Sequence, residues 1–426
     1  MKAVGIDIGT TSICGIVMDI ATGEIVNSFT ESSNAFVETE KDWEKIQSVE
    51  KIISLAQRML DKLVDENVKV IGVTGQMHGI LYTDKDGNAV SPLYTWQDNR
   101  GNFPYKDTTY AKYLGSFSGY GNVTDFYNRE NGIRPESAVS YCTIHDYFVM
   151  HLCGLKKPII HSSNAASFGC YDLEKNKFYY DCNVDITADY CILGQYKGIP
   201  VSVAIGDNQA SVFSTLADEN DILLNIGTGS QVSIISDVPI VEENIETRPF
   251  FEGKYLVVGS ALCGGRAYSQ LKNFYCEILG YISDVDDDKV YGIMNKMLEK
   301  VDKAGLIVDT RFAGTRSNAG ICGSISGITT ENFNPSQLTL GMLEGMASEL
   351  FEMFKLMNSN KSGIVGSGNG IRKNPALVRV FEEMFASGMK MPKHLEEASV
   401  GAALFGLISC GVFKNAREAQ KLIKYS

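Results

Sequence analysis

The sequence predicts an α/β protein made of two duplicated domains with a cleft between them. Residues 7–12 read Asp-Ile-Gly-Thr-Thr-Ser, and about half a chain length later residues 225–230 read Asn-Ile-Gly-Thr-Gly-Ser. Each copy lies between two short apolar runs, which is typical of a β-hairpin whose turn is rich in glycine and hydroxyl side chains. A chain of 426 residues is also too long for one ordinary core. We therefore expect two domains, 1–200 and 201–426.

Strands and helices alternate through the first domain, as an α/β fold requires. Its predicted elements, in chain order, are a hairpin over 3–17, a helix over 43–63, a strand over 68–73, a hairpin turn at 84–88, an irregular segment over 101–135 and a helix over 143–152. The first helix is predicted because its apolar residues recur at three-to-four spacing. The irregular segment is rich in Gly, Tyr and Asn, and we expect it to help shape a ligand cleft.

The second domain repeats this alternation. Its predicted elements are a strand over 201–205, a short helix over 207–216, a hairpin over 221–235, an apolar helix over 340–357, a strand over 363–365 that runs into the Gly-rich turn 366–370, and helices over 375–385 and 398–410. A strand followed by a Gly-rich turn and a helix lets a ligand approach the backbone closely.

Composition excludes several classes of function. The net charge of −12 gives no electrostatic footprint for nucleic acid or an anionic membrane. No apolar run reaches the roughly 18 residues of a membrane helix, and no signal peptide precedes the first strand. Ten cysteines without a Cys-x-x-Cys pair favour reduced thiols in a cytoplasmic protein.

The two hairpin turns predict a nucleotide held between the domains, because their backbone N–H groups and hydroxyls suit phosphate oxygens. Asp7 comes immediately before the first turn. Its carboxylate can hold Mg²⁺ through water, or it can cap the turn through its own backbone. Asn225 has the matching place before the second turn, so a metal role would not be duplicated.

Asp207 follows a predicted strand and opens a predicted helix. A carboxylate there can accept the proton of an attacking hydroxyl. It can equally be the N-cap of the helix, a position that Asp favours. Its position alone does not decide between the two interpretations.

Two further segments combine polar groups that suit a polyol. Gln76 and His78 follow the strand over 68–73, and Trp96 precedes Asp98. The alternatives are a packed loop histidine and a buried tryptophan beside a surface ion pair. The Gly-rich turn 366–370 can support the adenine and ribose of a nucleotide, although alone it is a weak signal.

Taken together in this order, these segments resemble the FGGY carbohydrate kinases over essentially the whole chain. The segments that carry the resemblance are 7–12, 76–79, 96–98, 206–209, 225–230, 366–370 and 397–403. The resemblance implies the actin/hexokinase-like (ribonuclease H-like) duplicated fold and transfer of phosphate from ATP, with Mg²⁺, to the terminal hydroxyl of a ketose. Segments such as 143–147 and 164–167 favour sedoheptulose. Xylulose or another pentulose is the alternative, and a nucleotide-binding protein without transfer activity is a third hypothesis.

The resemblance also implies roles for single residues. Asp207 would be the general base, and Asp7 would help to place Mg²⁺. Residues implied to contact the sugar are Gln76, Met77, His78, Trp96, Asp98 and Asn208. Residues implied to contact the nucleotide are Thr10, Thr11, Gly227, Thr228, Gly265, Gly366, Gly368, Asn369 and Asn374. The expected partner is a small-molecule ketose, and the family suggests a homodimer.

Overall fold

The computed structural model describes residues 1–282, 286–299, 301–315, 318 and 320–426. These residues form two compact units, each assembled from separate stretches of chain. The first unit comprises Met1–Ala217, Arg248–Tyr255 and His394–Lys424, and the second comprises Asp218–Thr247, Leu256–Lys393 and Tyr425–Ser426. No helix in the described residues is long and apolar enough to cross a membrane.

Thirteen α-helices have defined bounds in the described residues. They are α1 (Val49–Leu63), α2 (Tyr110–Tyr113), α3 (Gly121–Glu130), α4 (Ile144–Cys153), α5 (Ser162–Ala166), α6 (Asp207–Thr215), α7 (Gly264–Gly280), α8 (Asp287–Leu298), α9 (Pro335–Leu356), α10 (Asn369–Arg372), α11 (Pro375–Phe385), α12 (Glu397–Ser409) and α13 (Ala416–Ala419). Short 3₁₀ turns cover Arg100–Asn102, Phe251–Gly253 and Gln420–Leu422.

The strands fall into two large sheets and several two-stranded pairs. They are β1 (Lys2–Ile8), β2 (Ser12–Asp19), β3 (Ile25–Ser32), β4 (Ile46–Gln47), β5 (Val68–Gly75), β6 (Leu81–Thr83), β7 (Leu93–Tyr94), β8 (Pro104–Tyr105), β9 (Thr108–Thr109), β10 (Ser140–Cys142), β11 (Ile159–His161), β12 (Tyr171–Asp172), β13 (Lys177–Phe178), β14 (Asp185–Thr187), β15 (Ile192–Tyr196), β16 (Ile199–Ser202), β17 (Ile205–Gly206), β18 (Asp221–Ile226), β19 (Ser230–Ser236), β20 (Ile245–Pro249), β21 (Tyr255–Ala261), β22 (Ile307–Asp309), β23 (Ser324–Ser326), β24 (Gly363–Ser367) and β25 (Met389–Lys390).

The first unit is built on a sheet of order β15-β16-β5-β1-β2-β3, with β17 also paired to β5. Strand β1 is antiparallel to β2 and parallel to β5. Helices cover both faces of this sheet. Gly15 abuts Met59 and Leu63 of α1, whereas Gly5 abuts the backbone of α12 at Ser399. Because Gly5 is paired with Ile16 and Gly15 with Ile6, the two glycines face opposite sides, so α1 and α12 pack on opposite faces.

The second unit repeats this plan. Its sheet has the order β20-β21-β19-β18-β24-β25, in which β18 is antiparallel to β19 and parallel to β24. Each sheet therefore contains a hairpin whose first strand also pairs in parallel with a later strand. The closing pairs are Ile8 with Ile13 and Ile226 with Ser230, so the first turn is one residue longer than the second.

The two units do not follow the expected division at residue 200. Helix α6 lies in the first unit, because β17, which leads into it, pairs with β5. Helix α12 also lies there, because it packs on the first sheet and on α6. There, Gly401 leaves no room for a Cβ atom against the carbonyl oxygen of Ala210.

Most predicted elements are present, with shifted ends. The helix predicted over 43–63 begins later, at Val49, where the Ser48 hydroxyl caps it by accepting from the Lys51 N–H. The segment 101–135 is not irregular throughout, since it contains α3 (Gly121–Glu130).

Candidate active site

Asp7 and Asp207 lie at the same edge of the first sheet. Gly75 at the end of β5 is paired in parallel with Ile8 on one side and with Gly206 on the other. Asp7 precedes Ile8 and Asp207 follows Gly206, so both carboxylates belong to the carboxyl ends of parallel strands. The N-cap of α6 is Gly206, not Asp207, so the structure does not support the N-cap interpretation of this aspartate.

Burial dominates the electrostatics of the two carboxylates. Burial, together with a smaller contribution from the charge of Asp207, raises the pKa of Asp7 from 3.8 to about 7. Burial also raises the pKa of Asp207 to about 6, against the opposing effects of Arg248 and the backbone N–H of Asn208. Arg248 is itself buried, and sequence reasoning missed it because it lies 41 positions further along the chain than Asp207.

Asp7 has the chemistry of a magnesium ligand. Its Oδ1 atom is shielded from solvent and has no hydrogen-bond partner among the described residues, although the residue as a whole is partly exposed. Mg²⁺ prefers oxygen ligands and usually takes one or two carboxylates together with waters and phosphates. The described residues contain no group of three or more His, Cys, Asp or Glu side chains arranged to hold a metal ion. At the matching place in the second unit, the Asn225 side-chain amide donates to the Ser367 hydroxyl at 2.6 Å.

Thr10 in the first turn joins a polar network with the sugar candidates. The Trp96 indole N–H donates to the Thr10 hydroxyl at 3.0 Å, and that hydroxyl donates to Gln76 Oε1 at 3.3 Å. Gln47 completes the network, because its amide donates to the Thr10 carbonyl at 2.6 Å and its Oε1 accepts from Gln76 at 2.9 Å. The network leaves Trp96 47% exposed, so the residue is accessible to a ligand.

His78 lies in the loop after β5 in a left-handed conformation, with φ of 72°. Its ring stacks on Tyr120 with the centroids 4.2 Å apart. Met77 beside it is buried, with its sulphur packed close to Gly206. Tyr120 comes from the segment predicted to shape a ligand cleft, and through this stacking that segment contacts a sugar candidate.

Asp98 is enclosed by protein groups. The Arg100 guanidinium donates to its two oxygens at 2.7 and 3.1 Å, and the Lys45 N–H donates at 3.0 Å. Both side chains of the pair are fully buried, and the guanidinium lies 4.3 Å from the ring centre of Tyr94. The structure therefore shows Asp98 anchoring the loop that carries Trp96, and direct contact of Asp98 with a sugar stays a prediction.

The second unit contains a cavity of about 850 Å³. The residues predicted for the nucleotide that line it are Gly227, Thr228, Gly265, Gly368, Asn369 and Asn374. Sequence reasoning missed other lining residues, among them the cations Arg266 and Lys373 and the rings of Tyr268 and Tyr291. Lys373 lies only three positions after the Gly-rich turn 366–370, and a cation so close to a predicted nucleotide turn is a sequence signal for this site.

Glycines let the chain pack tightly around this cavity. The Gly265 N–H donates to the Gly227 carbonyl at 3.1 Å, and a Cβ atom on Gly265 would collide with that same oxygen. Gly368 has φ of 82°, and a Cβ atom there would lie 2.5 Å from the Ile226 carbonyl oxygen. The second turn and the two helix starts are thus held together through backbone contacts that no larger residue allows.

Three nucleotide candidates do not line this cavity, namely Thr10 of the network described above, Thr11 and Gly366. Gly366 is inside β24, where a Cβ atom would meet Met389, and it does not line the cavity. Thr11 belongs to the first turn and is exposed, with its carbonyl accepting from the Ser33 N–H at 2.9 Å.

Comparison with known proteins gives one consistent family. Residues 2–106 match the N-terminal domain of the FGGY family of carbohydrate kinases, and residues 222–410 match its C-terminal domain. The chain is 28% identical to the sedoheptulokinase of Mus musculus, over 94% of this chain and 96% of that protein.

The fold is similar to those of two solved xylulose kinases. The enzyme from Lactobacillus acidophilus aligns with a TM-score of 0.83 at 18% identity, over 100% of this chain and 92% of that one. The enzyme from Rhodospirillum rubrum aligns with a TM-score of 0.85 at 16% identity, over 100% and 93%. The predicted duplicated α/β fold is therefore confirmed.

Proposed function

Because the chain belongs to the FGGY family of carbohydrate kinases, we propose that it phosphorylates the terminal hydroxyl of sedoheptulose, using ATP and Mg²⁺. The observation that carries this proposal is Asp207, a carboxylate at the edge of the first sheet whose pKa is raised to about 6 by burial. A base with a pKa close to the working pH is mostly ionised and still takes up a proton readily.

In the proposed reaction, Asp207 accepts the proton of the terminal sugar hydroxyl as the oxygen attacks the γ-phosphorus of ATP. A bond forms between that oxygen and phosphorus, and the bond from phosphorus to the β–γ bridging oxygen breaks, which releases ADP. Phosphoryl transfer needs positioning and charge neutralisation more than covalent chemistry. Asp7 would help to hold Mg²⁺, which neutralises charge on the phosphates when it is bound.

The remaining candidates are assigned by their surroundings. Thr10, Thr11, Gly227 and Thr228 in the two turns would bind phosphate oxygens through N–H and hydroxyl groups. The cavity of the second unit would take the adenosine, since it combines ring faces with polar side chains. The groups proposed for the sugar are Gln76, Met77, His78, Trp96 and Asn208. The ten free thiols agree with a cytoplasmic setting.

Sedoheptulose is favoured because similarity to a sedoheptulokinase extends over nearly the whole of both chains. The second candidate substrate is xylulose or another pentulose. It is favoured by the Gln-Met-His-Gly segment at residues 76–79, which resembles the corresponding segment of xylulose kinases.

A coupled assay of ADP release across sedoheptulose, xylulose, ribulose, fructose and glycerol tests the proposal. We expect the highest kcat/KM with sedoheptulose and no release without Mg²⁺. A clear preference for xylulose would show that the second candidate, not sedoheptulose, is the substrate. If no ketose stimulated ADP release above the rate without sugar, the proposed function would be rejected.

A further inference from the structure

We propose that three residues around the short helix α5, namely Ser163, Asn164 and Ser167, hold the catalytic base and the sugar-binding loop at a fixed distance from each other. We call these three residues the α5 bridge. The inference rests on the proposed function for the roles of Asp207 and His78. The bridge residues would act through Asp207 and His78, so we propose them as positioning residues.

On one side, the α5 bridge binds the strand that ends at the base. The Gly206 N–H donates to the Ser163 hydroxyl at 3.0 Å, and the Asn164 amide donates to the Ala204 carbonyl at 3.2 Å. Ile205 lies between Ala204 and Gly206 and is held by β5, because the Thr74 hydroxyl donates to the Ile205 carbonyl at 2.8 Å. The backbone immediately before Asp207 is therefore fixed on both sides.

On its other side, the α5 bridge binds the loop of His78. The His78 N–H donates to the Ser167 hydroxyl at 3.1 Å, and its Nδ1 lies 2.8 Å from the Ser167 carbonyl oxygen. Because a carbonyl only accepts, Nδ1 carries the proton, which fixes the tautomer of the ring. A non-glycine residue at φ of 72° keeps that strained conformation only when its surroundings hold it.

The two sides are joined inside the α5 bridge itself. The Ser167 hydroxyl donates to the Asn164 carbonyl at 2.7 Å. Asn164 is anchored in turn, since its Oδ1 accepts from His145 at 2.9 Å and its amide donates to Asp146 at 2.9 Å. The Ser163 hydroxyl, which accepts from the Gly206 N–H, donates its own proton to His161 Nδ1 at 2.9 Å.

The hydrogen bonds of the α5 bridge are buried, so water cannot replace them when they are lost. Ser163 and Asn164 are inaccessible to solvent and Ser167 is 5% exposed. A donor that loses its partner in such a place has no water to replace it, so the backbone must move. A displacement of about 1 Å from productive geometry is enough to slow an enzyme about 100-fold.

Two substitutions separate the two sides of the bridge. Ser163→Ala removes the acceptor for the strand before Asp207, and we expect kcat to fall about 10- to 100-fold with little change in the KM for the ketose. Ser167→Ala removes the hydroxyl that accepts from the His78 N–H. We expect the KM for the ketose to rise about 10-fold, with a smaller change in kcat. Ser162→Ala is the matched control, because Ser162 is also buried and begins the same helix, but it takes no part in the hydrogen bonds that define the α5 bridge; it should leave both constants close to wild type.

Hydrogen exchange of the backbone gives a second readout that needs no substrate. Ser163→Ala should speed exchange in the peptide covering 204–208, Ser167→Ala in the peptide covering 76–80, and Ser162→Ala in neither. The proposal is overturned if both variants change kcat and KM in the same proportion, or if exchange in these peptides is unaltered. If wild-type protein turns over no ketose, the proposed function fails, and the exchange data still decide whether the bridge holds the two loops.

Discussion

The proposed role of Asp207 as a base depends on a balance of effects in its surroundings. Burial favours its neutral form, whereas Arg248 and the Asn208 N–H favour the charged form. The result is a pKa of about 6, close enough to neutrality for the carboxylate to be ionised in most molecules and still basic. A general base must be ionised to accept a proton, so the proposed role predicts that kcat/KM of the wild type falls as the pH drops through about 6.

Replacing this carboxylate tests its role directly. Asp207→Asn keeps the size and removes the basicity, so kcat should fall at least about 100-fold, the range of general-base catalysis. The unfolding temperature and nucleotide binding should stay near those of the wild type, which calorimetry and titration with ATP would check. Turnover close to normal, with the acidic fall in activity retained, would remove Asp207 from this role.

Ionisation of Asp7 lowers the free energy of unfolding. In the folded protein its pKa is about 7, against 3.8 for an ordinary aspartate, so its ionisation destabilises the fold as the pH rises from about 4 to about 7. Asp7→Asn should therefore raise the unfolding temperature at pH 8 without Mg²⁺, by about 2–4 °C if the gain is near 1 kcal/mol. The gain should shrink as the pH falls towards 4. Thermal unfolding of both proteins across this pH range measures the difference in unfolding temperature. A variant less stable than wild type at pH 8 would contradict the raised pKa of Asp7.

At the scale of elements, the start of α7 and the second turn form one unit held by backbone contacts. Gly265→Ala puts a Cβ atom against the Gly227 carbonyl, and we expect the KM for ATP to rise about 10-fold or more, with a smaller effect on the KM for the sugar. Gly280→Ala is the control, because it lies in the same helix and a Cβ atom there meets nothing within 4 Å. Equal effects of the two substitutions on ATP would show that the turn is not a nucleotide contact.

The elements that could be predicted from sequence carry their own end signals. Helix α4 follows a Thr143 N-cap and is closed by Gly154 in the left-handed conformation, and α11 follows an Asn374 N-cap and begins with Pro375. Helix α3 was not predicted, because its fully buried residues include Asn122, Thr124, Asp125 and Asn128, so the apolar periodicity that reveals a helix is missing.

The residues of the candidate site also fall into two groups, those that local sequence indicates and those that it does not. Asp7, Asp207 and the Gly-rich turns follow strands, so local sequence indicates where they lie. Gln47 and Arg248 reach the site from elements distant in sequence, and no local pattern indicates such a contact. The enclosure of Asp98 by Arg100 depends equally on packing, although the two residues are only two positions apart.

At the scale of the whole molecule, the first unit is completed by the last stretch of the chain. Residues His394–Lys424 belong to it, and Ala402, Ala403 and Leu404 of α12 are fully inaccessible to solvent. Removing α12 would expose one face of the first sheet.

A chain ending at residue 393 should therefore be insoluble or lack a cooperative unfolding transition, because a sheet with an uncovered apolar face has lost much of its core. A chain ending at residue 424 keeps α12 and is the control; it should remain soluble. Soluble yield and thermal unfolding distinguish the two. A soluble chain ending at 393 with an unchanged unfolding temperature would show that α12 is dispensable.

The position of α12 in the chain also determines when the first unit can complete its fold during synthesis. The first sheet is synthesised early, but its covering helix begins only at Glu397. At roughly 5–20 residues per second, the interval between residue 217 and that helix lasts on the order of ten to forty seconds. During this interval the nascent sheet has a bare apolar face, which makes the growing chain a natural client for chaperones.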